Sequence, residues 1–230
     1  MQAVILAGGR GTRLRPLTNR VAKPMAPVNG KPFLCFPVEL LRRYGVKDYL
    51  FCLGYKWRSI KRYFGDGKRF GVRIRHSVEK RPLGTGGALK NAEGMLHDEF
   101  ILLNGDTFLP IDYGRLIKRF FKLGKAGIAV VTRNRCSSII GNMSMNKSGL
   151  ITVYRKLARR KKLEYLDAGA GIFRKDIVEL FPEKRAFSFE ERLYPLLIRK
   201  RELAGYLSQV PFYDIGTLRS LKNFEERMMR

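Results

Sequence analysis

Apolar residues recur along this chain with two different periods, and the alternation between those periods predicts its architecture. Short runs rich in Val, Ile, Leu and Phe at residues 3–6, 48–53, 72–77, 100–103 and 127–132 read as β-strands. Between them Leu34, Val38, Leu41 and Tyr44 fall at helical spacing, as do Ile60, Tyr63 and Phe64, and again Leu116, Phe120 and Leu123. Strands alternating with helices build βαβ units. The expected fold is therefore α/β and Rossmann-like: a mixed, mostly parallel sheet with helices on both faces. After about residue 135 the rhythm changes. Residues 142–145, 150–154 and 168–173 read as strands, with tight polar turns such as Asn146-Lys147-Ser148-Gly149, which predicts a mixed or antiparallel extension of the sheet. A final helix is expected over 218–229. No linker rich in Gly, Ser or Pro and no internal repeat interrupts the chain, so a single domain over residues 1–230 is expected.

Composition sharpens this picture in three ways. At 230 residues and 45% hydrophobic content the chain can bury a substantial core. Its formal charge of +26 attracts polyanions, which fits nucleic acid, a site for several phosphates, or a generally basic surface. The densest basic run, Arg155-Lys156-Leu-Ala-Arg159-Arg160-Lys161-Lys162, lacks interleaved aromatics, and no zinc finger, RNP motif or helix-turn-helix is present. Nucleic acid is thus not the expected partner. Cys35, Cys52 and Cys136 are widely spaced without a CxxC pair, which predicts buried free thiols and a cytoplasmic protein. The only histidines, His76 and His97, are expected to be structural. The apolar N-terminal run is too short for a signal peptide or a membrane span, so no membrane partner is expected.

In such sheets ligands bind beyond the carboxyl ends of the strands. The first strand runs directly into Gly8-Gly9-Arg10-Gly11-Thr12-Arg13-Leu14-Arg15-Pro16. Glycines let the backbone turn sharply and bring its N–H groups to an anion, while Arg13 and Arg15 add charge that pairs with phosphate oxygens. The GxGxxG fingerprint fails because Leu14 stands at its third glycine, and the GxxxxGK[ST] loop fails for want of a lysine.

The longer pattern is more specific. Leu6-Ala-Gly-Gly-Arg-Gly-Thr-Arg-Leu-Arg-Pro-Leu-Thr18 with Lys23-Pro24-Met25 resembles the signature of the sugar-1-phosphate nucleotidyltransferases. Glu79-Lys-Arg-Pro-Leu-Gly-Thr-Gly-Gly-Ala88 resembles that family's base-reading loop, and Leu103-Asn-Gly-Asp-Thr-Phe108 its metal-binding strand end. Asp167-Ala-Gly-Ala-Gly-Ile-Phe173 is similar to the segment lying along the sugar, and Tyr213-Asp-Ile-Gly-Thr217 to the one carrying the second metal carboxylate. The five blocks keep their order and span nearly the whole chain. The phrases PLGTGGA, LNGDTF and FSFEE look most like the D-glycero-α-D-manno-heptose-1-phosphate guanylyltransferases within that family.

The resemblance implies the nucleotide-diphospho-sugar transferase type of fold, with a nucleotide-binding half (1–135) and a sugar-binding half (136–230). It implies transfer of a nucleoside monophosphate from a nucleoside triphosphate to a sugar 1-phosphate, with release of pyrophosphate. Such chemistry is positioning and charge neutralisation rather than covalent catalysis. Nucleotide contacts are implied for Leu6, Ala7, Gly8, Gly9, Gly11, Thr12, Glu79, Gly84 and Thr85, with Thr85 also placed to cap the following helix. Arg13, Lys23 and Lys156 are the implied catalytic cations. Asp106 and Asp214, two carboxylates on different strands, would share one Mg²⁺. Asn104, Gly141, Arg155, Asp167 and Gly169 are the implied sugar contacts. Arg155 departs from the pattern: relatives carry a glutamate there, and a guanidinium cannot accept a hydrogen bond from a hydroxyl.

Glu79 carries a physical argument about the base. An ionised carboxylate only accepts hydrogen bonds, so it suits the adjacent N1–H and N2–H of guanine and meets an unpaired carbonyl on thymine or uracil. GTP is the expected donor; a thymidylyl- or uridylyltransferase is the alternative. Two further readings are a catalytically silent nucleotide-sensing subunit on the same fold and a basic nucleic-acid binder. A homo-oligomer is compatible with the sequence, and the length leaves no room for the acyltransferase β-helix that some relatives append.

Overall fold

A computed structural model of the chain describes residues 1–134, 141–156, 163–182 and 185–229; Cys136 and residues 157–162 of the basic run lie outside these. The strands in chain order are β1 (Gln2–Ala7), β2 (Pro27–Val28), β3 (Lys31–Pro32), β4 (Asp48–Leu53), β5 (Arg73–Val78), β6 (Glu99–Asn104) and β7 (Thr107–Phe108). There follow β8 (Gly127–Arg133), β9 (Met143–Met145), β10 (Ile151–Tyr154), β11 (Tyr165–Arg174), β12 (Leu203–Ser208) and β13 (Tyr213–Asp214). The helices are α1 (Cys35–Arg43), α2 (Trp57–Phe64), α3 (Gly84–Asn91), α4 (Tyr113–Leu123), α5 (Phe189–Arg199) and α6 (Leu218–Met228).

Among the described residues nine strands form one sheet. Strands β5, β4, β1 and β6 pair in parallel, in that spatial order. Next to β6 lies β11, the one long strand that runs the other way, and beyond it β8 and β12 resume the first direction. The short β9 and β10 extend the end of β11 antiparallel. The expected mixed, mostly parallel sheet is therefore present, and it is continuous: β8 sits between β11 and β12, both from the other side of residue 135.

Packing explains why the parallel strands read as unbroken apolar runs. Ala3, Ile5 and Ala7 of β1 join one core with α1, α2 and α4, whereas Val4, with Leu50 and Cys52, joins a second core with α3 and α5. Strands covered on both faces need no polar alternation. A third apolar cluster lies at the edge. There Phe224 of α6 packs against Phe33, Phe36 and Phe108 with ring centroids 5.0, 5.2 and 5.4 Å apart. Leu14, Ala26, Val28 and Ile215 complete it, so α6 ties the loop after β1 to the β7–β13 pair.

Cys35 and Cys52 are free and buried, as expected. His76 bonds the Gly65 carbonyl at 2.7 Å through Nε2, and burial lowers its pKa, both marks of a structural residue. No helix among the described residues is long and apolar enough to cross a membrane. One expectation fails. Thr85 does not cap α3: the helix begins at Gly84 and no side chain caps it. The reason is competition, because the Thr85 hydroxyl is committed to α5, as described below. The sequence pattern also left α5 and β12 unassigned.

Candidate active site

Strand β1 has β4 on one side and β6 on the other, so the chain's crossovers part at its carboxyl end. That switch point opens a crevice. A cleft of about 670 Å³ fills it, lined by Leu6, Ala7, Gly8 and Gly9 from the end of β1 and the loop beyond. Glu79, Gly84 and Thr85 line a second wall, and Lys23, Asn104 and Asp106 a third.

Glu79 points into this cleft. Its Oε2 accepts a hydrogen bond from the Leu83 N–H at 3.1 Å, and its Oε1 lies against the backbones of Gly8 and Gly54. A Cβ on Gly54 would come within 2.3 Å of that oxygen, and one on Gly8 within 2.9 Å. Any larger residue at either position would push the carboxylate away. Burial raises the Glu79 pKa and the Leu83 N–H partly offsets this.

Gly11, Thr12 and Arg13 stand beyond the cleft lining. Gly11 packs on the stem of Lys23, and Thr12 and Arg13 begin a short 3-10 turn, Thr12–Leu14. Lys23 is buried and its Nζ is ion-paired with Asp106 Oδ2. The β7–β13 pairing sets Asp214 opposite Thr107, the residue after Asp106, so the two aspartates arrive together from distant parts of the chain. Asp214 Oδ1 accepts from the Gly216 N–H at 2.6 Å, and a Cβ on Gly216 would lie 3.5 Å from Arg13 Nη2. Arg13 therefore stands beside the Asp214 turn. Among the described residues no third histidine, cysteine or acid joins the two aspartates in a metal-binding cluster. Two carboxylates with the remaining positions left to water and phosphate oxygens suit Mg²⁺, which keeps several waters and prefers hard oxygen ligands.

A second cleft of about 610 Å³ continues from the first and shares Gly84, Thr85 and Asn104 with it. Lys156, Asp167 and Gly169 line it. It does not receive Gly141 or Arg155. Gly141 lies so close to the Leu163 carbonyl that a Cβ would fall within 1.9 Å of its oxygen, a packing role, and Arg155 is exposed. Lys156 Nζ pairs with Glu191 Oε2 at 2.7 Å.

Asp167 sits where β11 loses register with β8, between Asp167 and Gly171. Its Oδ1 accepts from the Gly169 N–H at 2.9 Å and its own N–H donates to Asn142 Oδ1 at 2.9 Å. Burial pushes its pKa from 3.8 up to about 7; the nearby Glu190 adds to the rise, and the Gly169 N–H and a bond with Tyr194 oppose it. A carboxyl raised in this way opposes folding progressively above 3.8 and fully above about 7. Asp167→Asn, which keeps an acceptor and removes the charge, is expected to gain almost nothing in Tm near pH 4 and a few degrees near pH 8, relative to the unsubstituted protein. Melting both proteins across that range checks it; a pH-independent difference would remove the buried charge from the account.

Several cleft residues carry no sequence signal of their own. Tyr55 and Trp57 line the first cleft, and Asn142, Tyr154, Ser188 and Glu190 the second. The FSFEE phrase was the only available pointer, and it marks just the last two. Thr85 reaches them directly: its Oγ1 accepts from the Phe189 N–H at 2.8 Å and donates to Glu190 Oε2 at 3.1 Å.

A doubly covered α/β sheet, a glycine loop at its switch point and paired aspartates beside buried and loop cations define a phosphoryl-transfer site for a nucleotide. The chain belongs to the Nucleotidyl transferase family, whose model matches residues 2–229, and it is a nucleotidyltransferase. It is 38% identical to the D-glycero-alpha-D-manno-heptose 1-phosphate guanylyltransferase of Campylobacter jejuni, over 94% of this chain and 95% of that protein. It is 30% identical to the enzyme of the same name from Aneurinibacillus thermoaerophilus, over 94% and 93% of the two chains. The crystal structure of HddC from Yersinia pseudotuberculosis superposes with a TM-score of 0.85 at 28% identity, over 99% of each chain. The same protein complexed with GMP-PN gives 0.82, again at 28% identity and over 99% of each chain.

Proposed function

We propose that this protein transfers guanosine monophosphate from GTP to a neutral sugar 1-phosphate of the heptose or mannose type, releasing pyrophosphate. The observation that carries this reading is the pair of contiguous clefts, one ending in Glu79 and the other in carboxylates and Lys156, which meet at Gly84, Thr85 and Asn104 beside Lys23. The guanylyltransferase names of the relatives and the GMP-PN complex of HddC support the choice of base and sugar.

The roles follow from position and charge. The loop after β1 and the wall carrying Glu79 hold the nucleotide, with the carboxylate aimed at the guanine N1–H and N2–H. The sugar 1-phosphate lies in the second cleft with Lys156 on its phosphate. One of its phosphate oxygens forms a bond to the α-phosphorus as the bond from that phosphorus to the pyrophosphate oxygen breaks. Lys23 offsets the charge of the α-phosphate, and Arg13 that which accumulates on departing pyrophosphate. Asp106 and Asp214 would hold Mg²⁺, which when bound supplies further neutralisation of the phosphates. The two halves of the chain act as one catalytic domain, and its free thiols suit the cytoplasm.

A pyrophosphate-release assay of the common nucleoside triphosphates against a panel of sugar 1-phosphates tests the reading. GTP with mannose 1-phosphate or D-glycero-α-D-manno-heptose 1-phosphate is expected to exceed every other pair. Glu79→Gln is expected to shift preference from GTP toward UTP or dTTP by about tenfold to a hundredfold, the roughly 1–3 kcal/mol that attends an unpaired polar group. Competition kinetics measure that ratio, and an unmoved value would leave Glu79 without a part in reading the base.

A further inference from the structure

The second cleft is unusual in its charge. Among the described residues three carboxylates reach it, from Asp167, Glu190 and Glu191, against one ammonium, that of Lys156, which Glu191 already pairs at 2.7 Å. Arg155, which stands where relatives carry a glutamate, does not line it. An acceptor for sugar hydroxyls in place of that glutamate must therefore come from another element.

Glu190 meets that need. It lies in the first turn of α5, and its Oε2 is fixed twice, by the Ser188 hydroxyl at 2.7 Å and the Thr85 hydroxyl at 3.1 Å. Thr85 is itself held by the Phe189 N–H at 2.8 Å, so the carboxylate is anchored from both α3 and α5. Its other oxygen, Oε1, takes no hydrogen bond among the described residues. A carboxylate locked through one oxygen, with the other unengaged at a polar cleft, is preorganised to accept from a hydroxyl.

We infer that Glu190 is the sugar-selecting residue of this enzyme, accepting a hydrogen bond from a hydroxyl of the sugar 1-phosphate and excluding sugars that carry a carboxylate. The inference rests on the sugar-1-phosphate reading above and deepens it. A hydroxyl donor gains a charge-assisted bond, whereas a uronic acid brings a like charge toward the anchored Glu190 carboxylate. The ligand class is a neutral polyhydroxy sugar 1-phosphate.

The test uses the full chain with saturating GTP, and mannose 1-phosphate and glucuronic acid 1-phosphate as probes. Glu190→Gln is expected to raise the KM for mannose 1-phosphate about tenfold to a hundredfold, leave the KM for GTP within about twofold, and move the kcat/KM ratio of the two sugars toward the uronic acid. Arg192→Ala, an exposed change on the same helix at a residue that does not line the cleft, is expected to change these values less than about threefold. Turnover by Glu190→Gln with an unaltered sugar ratio, or an equal loss in Arg192→Ala, would overturn the inference, since a merely structural role moves neither selectivity nor one substrate's KM alone. If the unsubstituted protein releases no pyrophosphate with any sugar 1-phosphate, the parent reading falls and this inference with it.

Discussion

Asp106→Asn and Asp214→Asn are each expected to lower turnover by about two orders of magnitude while leaving the fold intact. The two residues meet through the β7–β13 pairing, where Asp214 stands opposite Thr107. An amide is nearly isosteric with a carboxylate but carries no charge, so each change would remove one of the two carboxylates proposed to hold Mg²⁺, and with it much of the charge that would offset the triphosphate. Asp106 has a second partner, Lys23, whose ammonium would lose its counter-ion in Asp106→Asn. That variant is therefore expected to be the more complex of the two, with a changed KM for GTP beside the lower kcat. Steady-state kinetics at saturating Mg²⁺, with thermal melting as the control for folding, measure both. Near-normal turnover in either variant would remove that aspartate from the metal site, and direct Mn²⁺ binding to the free protein gives a readout independent of catalysis.

Phe224→Ala is expected to cost about 3–5 kcal/mol of stability, the range for truncating a fully buried phenylalanine. Its ring is the hub of the edge cluster, in contact with Phe33, Phe36, Phe108 and Tyr213. Two of these flank Asp106 and Asp214, since Phe108 ends β7 and Tyr213 begins β13. The cavity would loosen the packing under the β7–β13 pair, so turnover should fall more steeply with temperature than the unfolded fraction alone explains. Denaturant unfolding measures the first effect, and activity at temperatures well below Tm the second. A loss below about 1 kcal/mol would mean that α6 merely covers the sheet edge.

The central strands and the helices between them were legible because each is decided by burial within a few residues. A run such as Val4-Ile5-Leu6 has no polar alternative, and Leu116, Phe120 and Leu123 stay on one face only in a helix. The glycine loop, Asp106 and Asp214 were legible for another reason: their chemistry needs particular residue types at the ends of strands.

What remained hidden depends on side chains brought together across long stretches of chain. Glu79 was legible as a base reader, but its seat against the backbones of Gly8 and Gly54 was not, because folding alone brings those three residues together. Thr85 has the composition of a helix cap, yet its hydroxyl goes to Phe189 and Glu190, more than a hundred residues away. Arg155 was expected at the sugar and is exposed instead. Local pattern specifies which segments bury themselves and which loops can hold phosphate, because those preferences act within one element. The contents of the second cleft follow from the register of β11 on β8 and the docking of α5 on α3, and those are set only when the whole sheet closes its two cores.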